Sequence, residues 1–237
     1  MRREPPKEDI ERPASAPKPD AQKRQVSDAD ELRRHFDAYS SFVMANLLWA
    51  MVGLAVVTLP VATVALMTVM SERVRGRQPD VIWTFFTAVR QKWRTATLLG
   101  LIDAAAIGFI VINISIVGRM QADELMFVVS GAVTLFVGTI VLSVNVYMWA
   151  LLALEDLPVR RVIEMSLRFA LAYPLPTFGV LGASAALIAV SLLLPRGVFV
   201  FVTASAVAYV TAWGSWRVIR RHLTGEELRR FSGQADA

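Results

Sequence analysis

The sequence predicts an all-α polytopic membrane protein, and three observations carry that prediction. First, five apolar blocks fill most of the 237 residues: Phe42–Met70, Thr95–Val117, Leu125–Leu154, Thr177–Leu194 and Val198–Trp216. A helix needs about 20 apolar residues to cross a hydrocarbon core of about 30 Å, and each block is near or above that length. Second, none of the blocks contains Lys or Arg. Third, the chain is 55% hydrophobic with a mean hydropathy of +0.48, whereas soluble domains are about 45–50% apolar. The blocks give five or six transmembrane helices in one domain and leave no room for a separate soluble catalytic domain.

Charge and composition narrow the function classes. There are 25 Lys and Arg against 20 Asp and Glu, a formal charge of +5. Basic loops and tails retained in the cytoplasm explain this excess. The expected partners are therefore membrane lipids, met by residues such as Arg73, Arg75, Arg77, Arg90, Lys92 and Arg94, and not nucleic acid. No cysteine is present, and the two histidines, His35 and His222, lie outside the blocks without metal-ligand spacing. No phosphate-binding Gly-rich loop, nucleophile elbow or His-Glu-x-x-His occurs. No catalytic residue, metal or cofactor is expected, and the chain reads as no enzyme. No secretory signal peptide is expected either, since the first apolar run starts near Phe42 and is too long for an h-region.

Residues 1–26 are rich in Pro and charge and read as a disordered tail. The membrane domain is expected over residues 27–221. It opens with Ser27 and Asp30 as a helix start, and Leu32, Phe36, Tyr39 and Val43 follow at helical spacing, as an interfacial helix running into the first span. The first block is about 29 residues, roughly 44 Å as a helix, too long for one crossing. Two forms fit it. One is a single helix kinked at Pro60. The other is a hairpin turning near Thr58–Thr63.

The positive-inside rule bears on that choice. Ser71–Arg94, Leu154–Tyr173 and the tail after Trp216 are basic, whereas Gly118–Glu124 and Pro195–Gly197 carry only Arg119 and Arg196. The first three are expected on the cytoplasmic side and the last two outside. A hairpin keeps Lys23, Arg24, Arg33 and Arg34 inside as well, giving six crossings with both ends cytoplasmic. Residues 222–237 form a short C-terminal tail, in which Thr224 and Glu227 resemble a capping box.

Two basic loops share a pattern. Val81, Ile82, Phe85, Phe86, Val89 and Trp93 form an apolar stripe ending in Arg90, Lys92 and Arg94. Val162, Ile163, Leu167, Ala170 and Tyr173 form a similar one beside Arg160, Arg161 and Arg168. Each predicts an amphipathic helix on the cytoplasmic interface, and together they suggest an internal duplication of span, interfacial helix and span. Such helices anchor to headgroups or touch a cytoplasmic partner. Phe85, Phe86, Arg90, Trp93 and Arg94 are the candidate partner-contact residues.

Within the blocks, Asp103 is the one acid. A charge there costs at least about 2.5–3.5 kcal/mol, so it must be protonated, paired or beside a wet cavity. Asn145 on the next span is expected at similar depth, and the two are expected to hydrogen-bond, as a structural clamp or as a proton or solute site. Asn46 and Asn113 are weaker candidates of this type. Gly100, Ala104 and Gly108, then Gly182 and Ala186, then Ala204, Ala208 and Ala212 form small-residue faces. These suit close helix packing within the chain, or homo-oligomer formation.

The runs Asn46-Leu-Leu-Trp49, Leu54-Ala-Val-Val-Thr58-Leu-Pro60, Val74-Arg75-Gly76 and Trp83-Thr-Phe85-Phe86-Thr-Ala-Val-Arg90 resemble the YesL-like family of bacterial membrane proteins. So do Leu154-Glu-Asp-Leu-Pro158 and Pro174-Leu-Pro176-Thr177, and the likeness extends over roughly Phe36 to Arg221. The resemblance implies a multi-pass protein of the bacterial cytoplasmic membrane with no assigned reaction. Its members are often encoded beside sugar ABC-transporter components, which implies a carbohydrate-uptake context and transporter subunits as partners. The expected function is then a non-enzymatic accessory or regulatory subunit, with the C-terminus cytoplasmic. The alternative is a small secondary transporter with a polar site around Asp103. An ABC permease fits less well, because the loop before Pro174 lacks the Gly expected after an acid.

Overall fold

The computed structural model describes residues 39–119, 124–193 and 202–221. The readings on the N-terminal tail, Ser27–Phe36, Arg196 and Thr224–Glu227 lie outside these residues. The chain divides into two units between Ser40 and Ser41, and the second unit holds the helical bundle. All regular structure among the described residues is helical. It comprises α1 (Tyr39–Gly53), a 3-10 turn (Val56–Thr58), α2 (Leu59–Val74), α3 (Val81–Arg119), α4 (Glu124–Leu154), α5 (Val159–Ala172), α6 (Pro174–Leu193) and α7 (Ala204–Ile219). The α2 segment with its preceding turn, α3, α4 and α6 are long and apolar enough to cross a membrane, while α1 and α7 are shorter.

The first block is a hairpin. α1 and α2 run antiparallel, because Arg73 stands over the Phe42 ring at 5.7 Å while Trp49 Nε1 donates to Thr63 Oγ1 at 3.3 Å. The turn falls at residues 54–58, before the predicted Thr58–Thr63. Thr58 holds it, donating its hydroxyl to Val52 O and to Ala55 O at 2.7 Å. Pro60 does not break this helix; it sits in the first turn of α2, where a missing N–H costs nothing.

α2 is the centre of the bundle. It packs against α3, α4 and α7 and buries residues around its whole circumference, among them Val61, Val64, Leu66, Val69 and Met70. Helices apolar all round occupy such positions. It ends at Gly76, whose φ of 80° is the left-handed value a Cβ disfavours. Glu72 pairs there with Arg75 and, at 3.0 Å, with Arg77.

α3 corrects one expectation. The predicted interfacial helix and the span after it are one continuous helix of 39 residues, about 58 Å long. No Gly or Pro interrupts Trp93-Arg94-Thr95-Ala96, so nothing stops the helix there. Asp80 starts it, its Oδ1 accepting from the Trp83 N–H at 3.1 Å. In the second loop Tyr173-Pro174 does break the chain, and α5 stands as its own helix. α5 buries Val162, Ser166 and Ala170 while Arg160, Arg161 and Arg168 are exposed. The two basic loops differ in this break but share a burial register, since Val81 and Phe85 of α3 are buried as Val162 and Ser166 of α5 are.

Beyond the packed core, α3 and α4 continue as a pair clad in exposed apolar side chains, including Leu101, Phe109, Ile112, Phe127, Leu135 and Phe136. Apolar surface of that extent belongs in hydrocarbon, not water. The pair is pinned within by Asn113, whose Nδ2 donates to Thr134 Oγ1 at 2.7 Å. Asn46 does the same for α1 and α7, its Oδ1 accepting from the Ser205 N–H at 2.9 Å.

The small-residue faces divide. Ala208 and Ala212 are buried against α2 in the central cluster, and Gly100 abuts Pro60. A Cβ at Gly108 or Gly182 would meet nothing within 4 Å. The start of α1, the α2–α3 connection and the end of α7 lie at one end of the bundle, as Arg73 over Phe42 and Arg75 over Trp216 at 6.0 Å require.

Candidate functional site

Asp103 and Asn145 are brought together. Asn145 Nδ2 donates to Asp103 Oδ1 at 2.6 Å and to Val141 O at 3.2 Å. Its Oδ1 accepts from Trp149 Nε1 at 2.8 Å. Asn145 and Trp149 share a face of α4 by their four-residue spacing, so α4 alone orients the amide that holds the acid. Both donors of the amide are spent. The arrangement joins α3 to α4 and ties Asp103 to the wall of a cavity.

That cavity, about 550 Å³, is bounded by α1, α2, α4, α6 and α7. Trp49, Leu59, Met67, Asn145, Trp149 and Ile188 are among its lining residues, and none of the described lining residues is ionisable. Two of them, Ser184 and Thr203, have hydroxyl oxygens that are buried without a hydrogen-bond partner. Elsewhere in these helices Thr63, Thr68 and Ser191 give their hydroxyls to the carbonyl four residues back, at 2.8, 2.8 and 2.7 Å. Ser184 makes no such bond. An apolar chamber with a few hydroxyl and amide groups accommodates an apolar or uncharged amphiphilic molecule. A free sugar would lose more hydration there than these groups return.

The predicted partner-contact residues separate on α3. Phe85 is 0% exposed and belongs to the central cluster, so it faces no partner; Phe86 beside it is 50% exposed. Successive positions on a helix point about 100° apart, which puts the two rings on different faces. Trp93 is also half exposed, and Arg90 and Arg94 are exposed. The Arg94 guanidinium lies over the Trp93 ring at 5.2 Å. Phe86, Arg90, Trp93 and Arg94 thus form one surface stripe of aromatic and basic groups.

Lys92 departs from the expectation that it meets headgroups. It is 7% exposed, and its Nζ donates to Leu152 O at 2.5 Å and Ala153 O at 3.1 Å, with Asp156 Oδ1 at 3.4 Å. It caps the carbonyl end of α4, where a cation is favoured. Its place on the Val81, Phe85 and Ala88 face is a readable signal. The cavity and its two hydroxyls carry none, because five helices have to meet before it exists.

Residues 42–114 match the family model described as "Protein of unknown function, DUF624". The match runs through α1, α2 and most of α3, taking in the aromatic and basic stripe and Asp103. Over 136 residues the chain is 28% identical to "Uncharacterized protein YesL" of Bacillus subtilis (strain 168), a similarity covering 56% of this chain and 63% of that protein. The chain therefore spans less than two thirds of that relative. No solved structure matches it.

Proposed function

We propose that this chain, which is similar to the YesL-like proteins of the DUF624 family and has helices apolar enough to cross a membrane, is a non-enzymatic accessory subunit of a carbohydrate-uptake system in the bacterial cytoplasmic membrane. The stripe Phe86, Arg90, Trp93 and Arg94 is the observation that supports this reading. It stands exposed at the basic end of the bundle, on the part of α3 that exceeds the length of a membrane crossing. Large aromatics and arginines are the residues that anchor protein contacts. The positive-inside rule puts this end, with the C-terminus, in the cytoplasm, where the energy-coupling parts of an uptake system work. The sugar-uptake context itself comes from the family resemblance.

The cavity lined by Asn145, which holds Asp103, favours a second reading, a small transporter with a polar site around Asp103. One experiment separates the two. A C-terminally tagged chain is drawn from native membranes in mild detergent, and its companions are identified by mass spectrometry. Sugar-transporter subunits are expected, and they are expected to be lost with Phe86→Asp and Trp93→Asp but retained with Asp103→Asn. A chain recovered alone, which moves solute in liposomes and stops doing so with Asp103→Asn, would overturn the accessory reading in favour of the transporter.

A further inference from the structure

A groove of about 440 Å³ runs between α6 and α7, on α6 from Pro176 to Ala183 and along α7 from Val210 to Arg221 just past its end. Its walls are apolar except at one end, where Arg217 and Arg221 line it. The floor is closed at one point because Gly214 admits Val180; a Cβ there would lie 2.1 Å from Val180 Cγ2. At Gly179 the groove is open, with nothing within 4 Å of where a Cβ would stand.

We propose that this groove seats one anionic phospholipid, its phosphate on Arg217 and Arg221 and an acyl chain along Val180, Ala183 and Val210. Three features favour that occupant. The first is charge: Arg217 in the last turn of α7 and Arg221 just beyond it both line one end of the groove, where two guanidinium groups can share a phosphate. The second is availability. Among the described residues Arg75, Arg77, Lys92 and Arg168 each lie against a carboxylate. Arg217 lies instead over the Trp213 ring at 5.0 Å, a contact that leaves its N–H groups for an anion. The third is length. From Val210 to Arg221 the groove extends about 16 Å, close to half of a 30 Å hydrocarbon core. It therefore fits the chain of a lipid in a single leaflet, with its headgroup at the basic end. A free phosphate would leave the apolar length empty.

The test uses the full chain, purified in neutral detergent and given phosphatidylglycerol, phosphatidylcholine or inorganic phosphate alone. Retained lipid is counted by native mass spectrometry, and the thermal midpoint is read in parallel. One phosphatidylglycerol is expected to remain bound and to raise the midpoint, with phosphatidylcholine and phosphate doing neither. Arg217→Gln with Arg221→Gln is expected to weaken retention about tenfold or more. Arg160→Gln with Arg161→Gln, on exposed residues of α5, is expected to leave it unchanged. Gly179→Leu fills the groove while keeping both arginines, and is expected to expel the lipid even if the double variant folds poorly. Equal retention of the two lipids, retention unchanged in Gly179→Leu, or the same midpoint shift with inorganic phosphate would each overturn the proposal.

Discussion

Gly100→Ala is expected to destabilise the protein, although replacing a helical glycine ordinarily gains about 0.5–1 kcal/mol. A Cβ at this position would stand 2.2 Å from Pro60 Cγ and 2.6 Å from Pro60 Cβ. A flexible side chain could swing aside, but a proline ring cannot. This ring also belongs to the first turn of α2, the helix on which most of the bundle packs. Overpacking of this kind costs about 1–3 kcal/mol, which outweighs the gain in helix propensity. Gly108 provides the internal control, since it lies on the same helix with nothing within 4 Å of a Cβ. Gly108→Ala is expected to leave the thermal midpoint unchanged or raise it, while Gly100→Ala lowers it. A rise in both would mean that α3 does not cross α2 at Pro60.

The second large effect is expected at Lys92. Lys92→Met keeps most of the apolar stem and removes the ammonium. The carbonyls of Leu152 and Ala153 then lose a donor in a buried setting, and Asp156 loses its ion pair. Hydrogen bonds to a charged group contribute about 1.5–3 kcal/mol each. Asp156 is mostly exposed and adds little. Removing the ammonium also relieves the cost of burying it, so the net loss expected is about 2–3 kcal/mol, less than the two bonds would sum to, together with faster amide exchange at the end of α4. Arg94→Met, two positions along but exposed, is expected to change stability by less than about 0.5 kcal/mol. Equal losses in the two variants would contradict the cap.

How far these features are legible in the sequence depends on what each one needs. The apolar blocks need only length and the absence of Lys and Arg. The Asp103–Asn145 contact is readable because two polar groups in adjacent apolar blocks have few other partners. The hairpin is readable from charge, but its turn lies a few residues earlier than expected. Proline is ordinarily weighed as a helix breaker, while Pro60 acts as a helix starter. Phe85 and Phe86 read as one stripe, although the step of about 100° between them turns Phe85 into the core and leaves Phe86 at the surface. The spacing of Val81, Phe85, Ala88 and Lys92 marks the buried side and contains the missing information. Lys92 is easily misread because a charge is ordinarily solvated; its partners are main-chain carbonyls some 60 residues away, which no local pattern encodes. The α6–α7 groove and the central cavity depend on tertiary packing alone.

The most direct test of the central claim asks on which side of the membrane the stripe lies. The chain contains no cysteine, so Gln91→Cys, at an exposed position between Arg90 and Lys92, can be labelled without background by a membrane-impermeant maleimide. A cytoplasmic partner surface predicts labelling in inside-out vesicles, and in right-side-out vesicles only after permeabilisation. Labelling of intact right-side-out vesicles would put Phe86, Arg90, Trp93 and Arg94 outside the cell and contradict a contact with cytoplasmic transporter subunits.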